Sequence, residues 1–137
     1  DPDGPYAAVI PLFVKGILKR SPVYINGDGE QTRDFTFVEN AVQINIKGML
    51  TSNEQALNKV YNVAVGDRFS VNYLYETCKS QLNSDWEATY REPRSGDIRH
   101  SQADISLATK LLGYQPTKNF EAGLIETINY FKSIYSK

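Results

Sequence analysis

The chain has 137 residues, with 15 Lys and Arg against 16 Asp and Glu and a formal net charge of -1. That balance excludes the polycationic field on which nucleic-acid backbone binding depends. One Cys and one His exclude a disulfide framework and a thiolate metal cluster, while 41% hydrophobic residues and nine Tyr, six Phe and one Trp exclude a disordered chain.

Residues 1–8 read as a Pro- and Gly-rich loop. Asp1-Pro2-Asp3-Gly4-Pro5 carries no initiator Met, signal pattern or strand, so the chain reads as starting in the middle of a fold, with the cytoplasm as the expected compartment. No apolar run reaches membrane-spanning length, and no membrane partner is expected. Ile10, Phe13, Val14, Ile17 and Leu18 fall at helical spacing. Pro11 is tolerated in the first turn, and Pro22 is expected to stop the helix. Val23-Tyr24-Ile25 predicts a short strand, and Asn26-Gly27-Asp28-Gly29 a tight turn with positive φ.

Gln31 to Val38 predicts a second extended segment, and Asn40 to Leu50 a helix burying Val42, Ile46, Met49 and Leu50. After a polar loop at 51–58, the dense apolar run Val60 to Val65 predicts a strand covered on both faces. Ser70 is placed to cap a helix lined by Val71, Leu74, Cys78 and Leu82. Trp86 to Arg91 reads as extended, and 92–101 as an irregular charged loop. Asp104 is expected to cap a helix over Ile105 to Leu112 that Gly113 closes, and Asn119 to cap a last helix with the stripe Phe120, Leu124, Ile128 and Phe131. Helices and short strands are mixed, without a series of β-α-β units, a repeat or a linker.

Two arginine-bearing stretches suit an anion. Arg33 follows the glycine turn, and its planar guanidinium matches phosphate oxygens in pairs; the alternative is a salt bridge to Asp28, Glu30 or Asp34. Arg94, Asp97 and Arg99 share a loop in which an arginine would meet phosphate and Asp97 would accept from sugar hydroxyls; the alternative is a solvated charged turn. Alternation puts Tyr24 and Asn26 on one face, opposite Ile25, where a ring and an amide would stack on and read a base, or would simply be a half-buried Tyr and a turn-opening Asn. His100 is expected to satisfy a hydrogen bond or lie near a sugar, and Cys78 to be inert core. Tyr75 with Lys79, and Tyr114 with Lys118, share a four-residue spacing that reads as chance. No catalytic, cofactor-binding or metal-ligating residue is assigned, and the chain has no glycine-rich loop after a first strand.

The stretches Ala7-Ala8-Val9-Ile10-Pro11, GDGE-x-x-RDF (27–35), Tyr61 to Asp67, R-x-GDIRHS (94–101) through Asp104, and Leu111 to Pro116 resemble the C-terminal portion of an extended short-chain dehydrogenase/reductase. Within that superfamily the chain is similar to UDP-sugar 4-epimerases, most of all those acting on UDP-N-acetylglucosamine or UDP-N-acetylgalactosamine. The resemblance implies an α/β fold: a C-terminal portion of a Rossmann-like NAD-binding enzyme, mainly its smaller substrate-binding lobe plus a late sheet strand at 60–65. Residues 1–137 would form the substrate-binding portion, with about 40–82 packed on the Rossmann-like domain and the N-terminal NAD-binding portion absent.

The resemblance also implies roles. Arg33 and Arg94 would hold the pyrophosphate and Asp97 the ribose. Tyr24 and Asn26 would surround the uracil, with Ala8 and Val9 lining the pocket near it. Ser101 would stand beside the sugar, small enough to admit an N-acetyl group. NAD, bound mainly by the N-terminal portion, would serve C4 inversion through a 4-keto sugar, so this chain alone is expected to be inactive. The partners implied are a UDP-sugar, the N-terminal half of the same protein and a second copy in a homodimer. The alternatives are another nucleotide-sugar-modifying member of the superfamily, acting on UDP-glucose or UDP-glucuronate as epimerase, decarboxylase or dehydratase, or a non-catalytic nucleotide-sugar-binding module.

Overall fold

The helical spacing near the start produces α1, Val9–Lys19, whose Phe13, Val14 and Ile17 are buried. The computed structural model describes residues 8–135, so all but Ala8 of the loop predicted over 1–8 lies outside the described residues. Pro11 sits in the first turn of α1. The helix ends before Pro22 is reached, because Arg20 adopts the left-handed conformation at φ 48° and its amide turns back to the Gly16 and Ile17 carbonyls.

The chain continues through β1 (Tyr24–Asn26), β2 (Thr32–Arg33), α2 (Val38–Leu50), a 3-10 turn (Glu54–Ala56), β3 (Phe69–Ser70), α3 (Val71–Gln81), β4 (Thr89–Arg91), α4 (Ser106–Leu112) and α5 (Phe120–Tyr135). β1 and β4 run parallel, with Tyr24 opposite Thr89, Ile25 opposite Tyr90 and Asn26 opposite Arg91. β2 and β3 are antiparallel, pairing Thr32 with Ser70 and Arg33 with Phe69. Two expected caps form, the Ser70 side chain accepting from the Tyr73 amide and the Asn119 amide oxygen from Ala122; Asp104 accepts from the Ser106 amide, but α4 starts one residue late and its N-cap position is Ile105. Gly113 closes α4 at φ 60°.

The main core joins α1, β1, α3 and α5 through Phe13, Val14, Ile17, Val23, Ile25, Leu74, Tyr75, Cys78, Phe120, Leu124 and Ile128. α1 lies so close to the start of β1 that a Cβ on Gly16 would come within 2.3 Å of Val23 Cγ2. A second cluster joins Ile44, Ala108 and Tyr114, flanked by Tyr61, Val63, Ile105 and Leu112. It is keyed by Asn40, 0% exposed. The Asn40 side-chain oxygen accepts from the amides of Thr117 (2.9 Å) and Lys118 (3.1 Å), and its nitrogen donates to the Lys118 carbonyl at 2.8 Å.

Two expectations are overturned. The apolar run 60–65 forms no strand. A strand needs a neighbour to complete its backbone bonds, and none of the described strands lies beside this segment. Side chains bond it instead: both carboxylate oxygens of Asp34 accept from the Val65 and Gly66 amides at 3.0 Å, and the Tyr114 hydroxyl donates to the Ala64 carbonyl at 2.8 Å. The face of α2 is also reversed. Asn40 and Ile44, one turn apart, point inward, while Met49 and Leu50 are 82% and 78% exposed and Val42 and Ile46 half exposed. Periodicity locates an apolar face but not the neighbour that covers it.

Replacing Asn40 with Leu orphans the Thr117 and Lys118 amides together. The expected loss is about 2 kcal/mol or more of unfolding free energy, read as a lower urea midpoint at unchanged slope.

Candidate functional site

β1 divides core from site within three residues. Ile25 is 1% exposed, whereas Tyr24 on the opposite face is 48% exposed. Arg91, opposite Asn26 in the register, engages both outward residues. Its guanidinium lies 4.9 Å over the Tyr24 ring, and its Nε donates to Asn26 Oδ1 at 2.6 Å.

The turn after β1 has the predicted positive φ, at 69° for Gly27 and 76° for Gly29. Asp28 Oδ1 accepts from the Glu30 amide at 2.9 Å, which stiffens the turn. Asn72, in the first turn of α3, fills the space where Gly29 lacks a side chain: a Cβ there would lie 1.9 Å from Asn72 Oδ1. The Asn72 backbone amide donates to the Gly29 carbonyl at 3.0 Å. Its side-chain nitrogen donates to the Asp28 carbonyl (2.9 Å) and to the Glu30 carboxylate (2.6 Å), and its oxygen accepts from the Tyr90 hydroxyl at 2.9 Å.

The charged loop after β4 returns to the same turn. Gly27 donates to the Arg91 carbonyl and Thr32 to the Arg99 carbonyl, each at 2.8 Å, and Ser101 donates to Thr32 at 3.1 Å. His100 Nδ1 is hydrogen-bonded to the Thr32 hydroxyl at 3.0 Å. Arg33 forms an ion pair with Asp97 rather than with Asp28, Glu30 or Asp34, and donates to the Thr32 carbonyl at 2.8 Å. Arg99 pairs with Asp28 Oδ2 at 2.8 Å.

The Arg99 hydrogen bond, helped by the Glu30 amide, holds the Asp28 carboxyl below its usual range, and the same bond raises Arg99. The sign follows from a depressed acid: the pair is fully formed above the ordinary carboxylate range and is lost as pH falls through the depressed value. It is therefore no switch near neutrality.

Asn26, Gln31, Arg91, Arg94, Asp97 and Arg99 line an open cavity of ≈ 570 Å³. Of the residues expected from sequence, Asn26, Arg94 and Asp97 meet at this cavity; Arg33 reaches it through Asp97, and Tyr24 through Arg91. Ser101 is exposed at the far end of the loop. Ala8 is not brought to this cluster; it lines a separate apolar cavity of ≈ 940 Å³ with Phe35, Phe37, Leu124 and Tyr130. Val9 packs against the main core.

Neither Tyr-Lys spacing makes a proton-transfer pair. The Tyr75 hydroxyl donates to the Trp86 carbonyl at 2.8 Å, and burial pushes it up to about 12. Lys79 bonds Glu87. The Tyr114 hydroxyl is spent on Ala64, and Lys118 pairs with Glu39 and Glu126. Among the described residues no cluster of His, Cys, Asp and Glu suits a metal, and no helix is long and apolar enough to cross a membrane.

Sequence reasoning missed Asn72, Arg91 and the Asp28–Arg99 pair as parts of this site. The two glycines were the available signal, since a turn with two positive φ values admits close approach by another element.

The fold that carries this cavity has counterparts among solved nucleotide-sugar enzymes. Residues 5–127 match the family model described as GDP-mannose 4,6 dehydratase, and the chain belongs to that family. Its architecture is the C-terminal part of the extended short-chain dehydrogenase/reductase fold. A UDP-glucose 4-epimerase of Methanocaldococcus jannaschii, itself designated putative, is 33% identical over 97% of this chain and 41% of its own length. A UDP-N-acetylglucosamine 4-epimerase from Methanobrevibacter ruminantium, solved with UDP-N-acetylmuramic acid, is 40% identical with a TM-score of 0.87 over 98% of this chain and 42% of its own. A UDP-glucuronic acid 4-epimerase from Bacillus cereus, solved with UDP-glucuronic acid and NAD, is 26% identical with a TM-score of 0.88 over 98% and 41%. The chain thus spans 41–42% of the length of these relatives.

Gly29→Ala forces a side chain onto Asn72 and strains a positive φ. A stability loss of about 2 kcal/mol or more is expected, seen as a lower thermal midpoint that Asn72→Gly in the same chain partly restores.

Proposed function

We propose that this chain is the UDP-gripping C-terminal portion of an NAD-dependent UDP-N-acetylglucosamine/UDP-N-acetylgalactosamine 4-epimerase. The observation that carries the reading is that Asn26, Arg94 and Asp97 line one cavity, with Arg33 joined to it through Asp97 and Tyr24 through Arg91. Arg33 would exchange Asp97 for the pyrophosphate, to which a second arginine, Arg94, adds its own fork. Asp97, so released, would accept from the ribose hydroxyls. Tyr24 and Asn26 would take the uracil, whereas Ala8 and Val9, which lie at another cavity and on the core, are given no part in it.

The choice of an acetamido sugar rests on Ser101, whose short side chain leaves room for an N-acetyl group, and is supported by the 40% identity to the M. ruminantium enzyme. The described residues contain no strand–glycine loop–helix junction suited to a dinucleotide pyrophosphate, so no NAD contact is derived for them. NAD would be held by an N-terminal portion and would supply oxidation and re-reduction at C4. The outward apolar face of α2 supports packing of the 40–82 region on that portion, in an intact protein that pairs as a homodimer.

The full-length protein is expected to interconvert UDP-N-acetylglucosamine and UDP-N-acetylgalactosamine, followed by NMR of the C4 proton. Arg33→Ala and Arg94→Ala are each expected to weaken UDP binding roughly ten- to a hundredfold, the range for a charge-assisted hydrogen bond. Ser101→Tyr is expected to suppress turnover of the acetamido sugars more than that of UDP-glucose. Turnover confined to UDP-glucose or UDP-glucuronate would overturn the substrate assignment, and unaltered UDP affinity in both arginine variants would overturn the site.

A further inference from the structure

The loop that carries Arg94 and Asp97 has little to hold it. Every residue from 91 to 102 is exposed, so no buried side chain anchors it. Its entrance is tied by β4 and the Gly27–Arg91 backbone bond, and its exit by the backbone bonds of Thr32 to Arg99 and Ser101. Between them a turn closes on itself, the Asp97 amide donating to the Arg94 carbonyl at 3.2 Å around Gly96 at φ 79°. Side chains add to the exit tie, where His100 is hydrogen-bonded to the Thr32 hydroxyl and Gln102 donates to the Gly66 carbonyl, and ion pairs supply the remaining restraint.

Two such pairs reach it. Arg33–Asp97 joins groups that the proposed function assigns to the pyrophosphate and the ribose, so a bound nucleotide takes that pair apart. Asp28–Arg99 uses neither group and survives binding. It also starts from a turn that is itself held by hydrogen bonds. One oxygen of Asp28 is committed to the Glu30 amide, and the turn itself is pinned to α3 by Asn72.

We propose that Asp28 and Arg99 form a charged strut that positions the 92–98 loop, and with it Arg94 and Asp97, over the nucleotide-sugar site. The proposal rests on the function proposed above. Both residues are positioning residues. Arg99 lines the cavity, but its guanidinium faces a carboxylate that repels phosphate. The strut conveys the rigidity of α3, through Asn72 and the glycine turn, to an otherwise loosely held loop.

The test is calorimetric titration of the full-length protein with UDP, alongside hydrogen exchange without ligand. Asp28→Asn is expected to raise the dissociation constant roughly two- to fivefold, the scale of an exposed ion pair, with the gap narrowing in high salt. The Ser101 amide is expected to exchange faster in this variant even without UDP. Combining Asp28→Arg with Arg99→Asp is expected to recover affinity relative to either change alone. Unchanged or tighter UDP binding by Asp28→Asn, as a freed Arg99 that itself binds phosphate would give, overturns the strut; so does a double variant no better than the worse single one. Failure of the wild-type protein to bind UDP instead overturns the functional reading on which the strut rests.

Discussion

The seating of Asn72 in the space left by Gly29 is the contact on which the candidate site depends. Leu74, two residues on, is fully buried in the main core, so the start of α3 is fixed by hydrophobic packing. Asn72 converts that fixed position into polar contacts, holding the glycine turn on one side and the Tyr90 hydroxyl on the other. β1 and β4, the strands from which the cavity rises, are thereby referred to one helix end. The arrangement requires glycine at 29 for two reasons, the positive φ and the missing Cβ.

Charges at the cavity are paired with one another and with an aromatic ring. Arg33 and Asp97 neutralise each other, Arg91 stacks on Tyr24, and Arg99 faces Asp28. Exposed pairs of this kind are weak, so they restrain the side chains without trapping them. A phosphate would compete for Arg33 against a carboxylate of similar geometry, and the exchange leaves few unpaired charges at any stage. The two Tyr-Lys spacings contrast with this. Their hydroxyls are bonded to backbone carbonyls, and burial raises the Tyr75 and Tyr114 acids, opposite to what a proton-accepting phenolate requires.

What sequence made legible was mostly local. Helical spacing and capping residues identify α1, α3, α4 and α5 because those signals act within a turn or two of chain. β1 alternation correctly separated Ile25 from Tyr24 and Asn26 for the same reason. Errors arose where a distant neighbour decides the outcome. The run 60–65 has strand composition, yet it forms no strand, and its last amide, that of Val65, goes to Asp34. The inward face of α2 is chosen by a polar residue, Asn40, whose partners lie about eighty positions away. The site divided similarly: Arg94 and Asp97 are close in sequence and meet at the cavity, whereas the Arg33–Asp97 pairing joins two stretches whose spacing encodes nothing.

Cys78 has so far figured only as packing, but its position gives the protein an internal reporter. It is the sole thiol in the chain, is fully buried among α1, α3 and α5, and is pushed by that burial up to about 12. An alkylating reagent needs both access and thiolate, and the native core denies both. Modification at neutral pH must therefore wait for the core to open, and its rate measures the opening equilibrium when closing outpaces the chemistry. The chain carries its own stability probe at the centre of its main core, with no engineered label required.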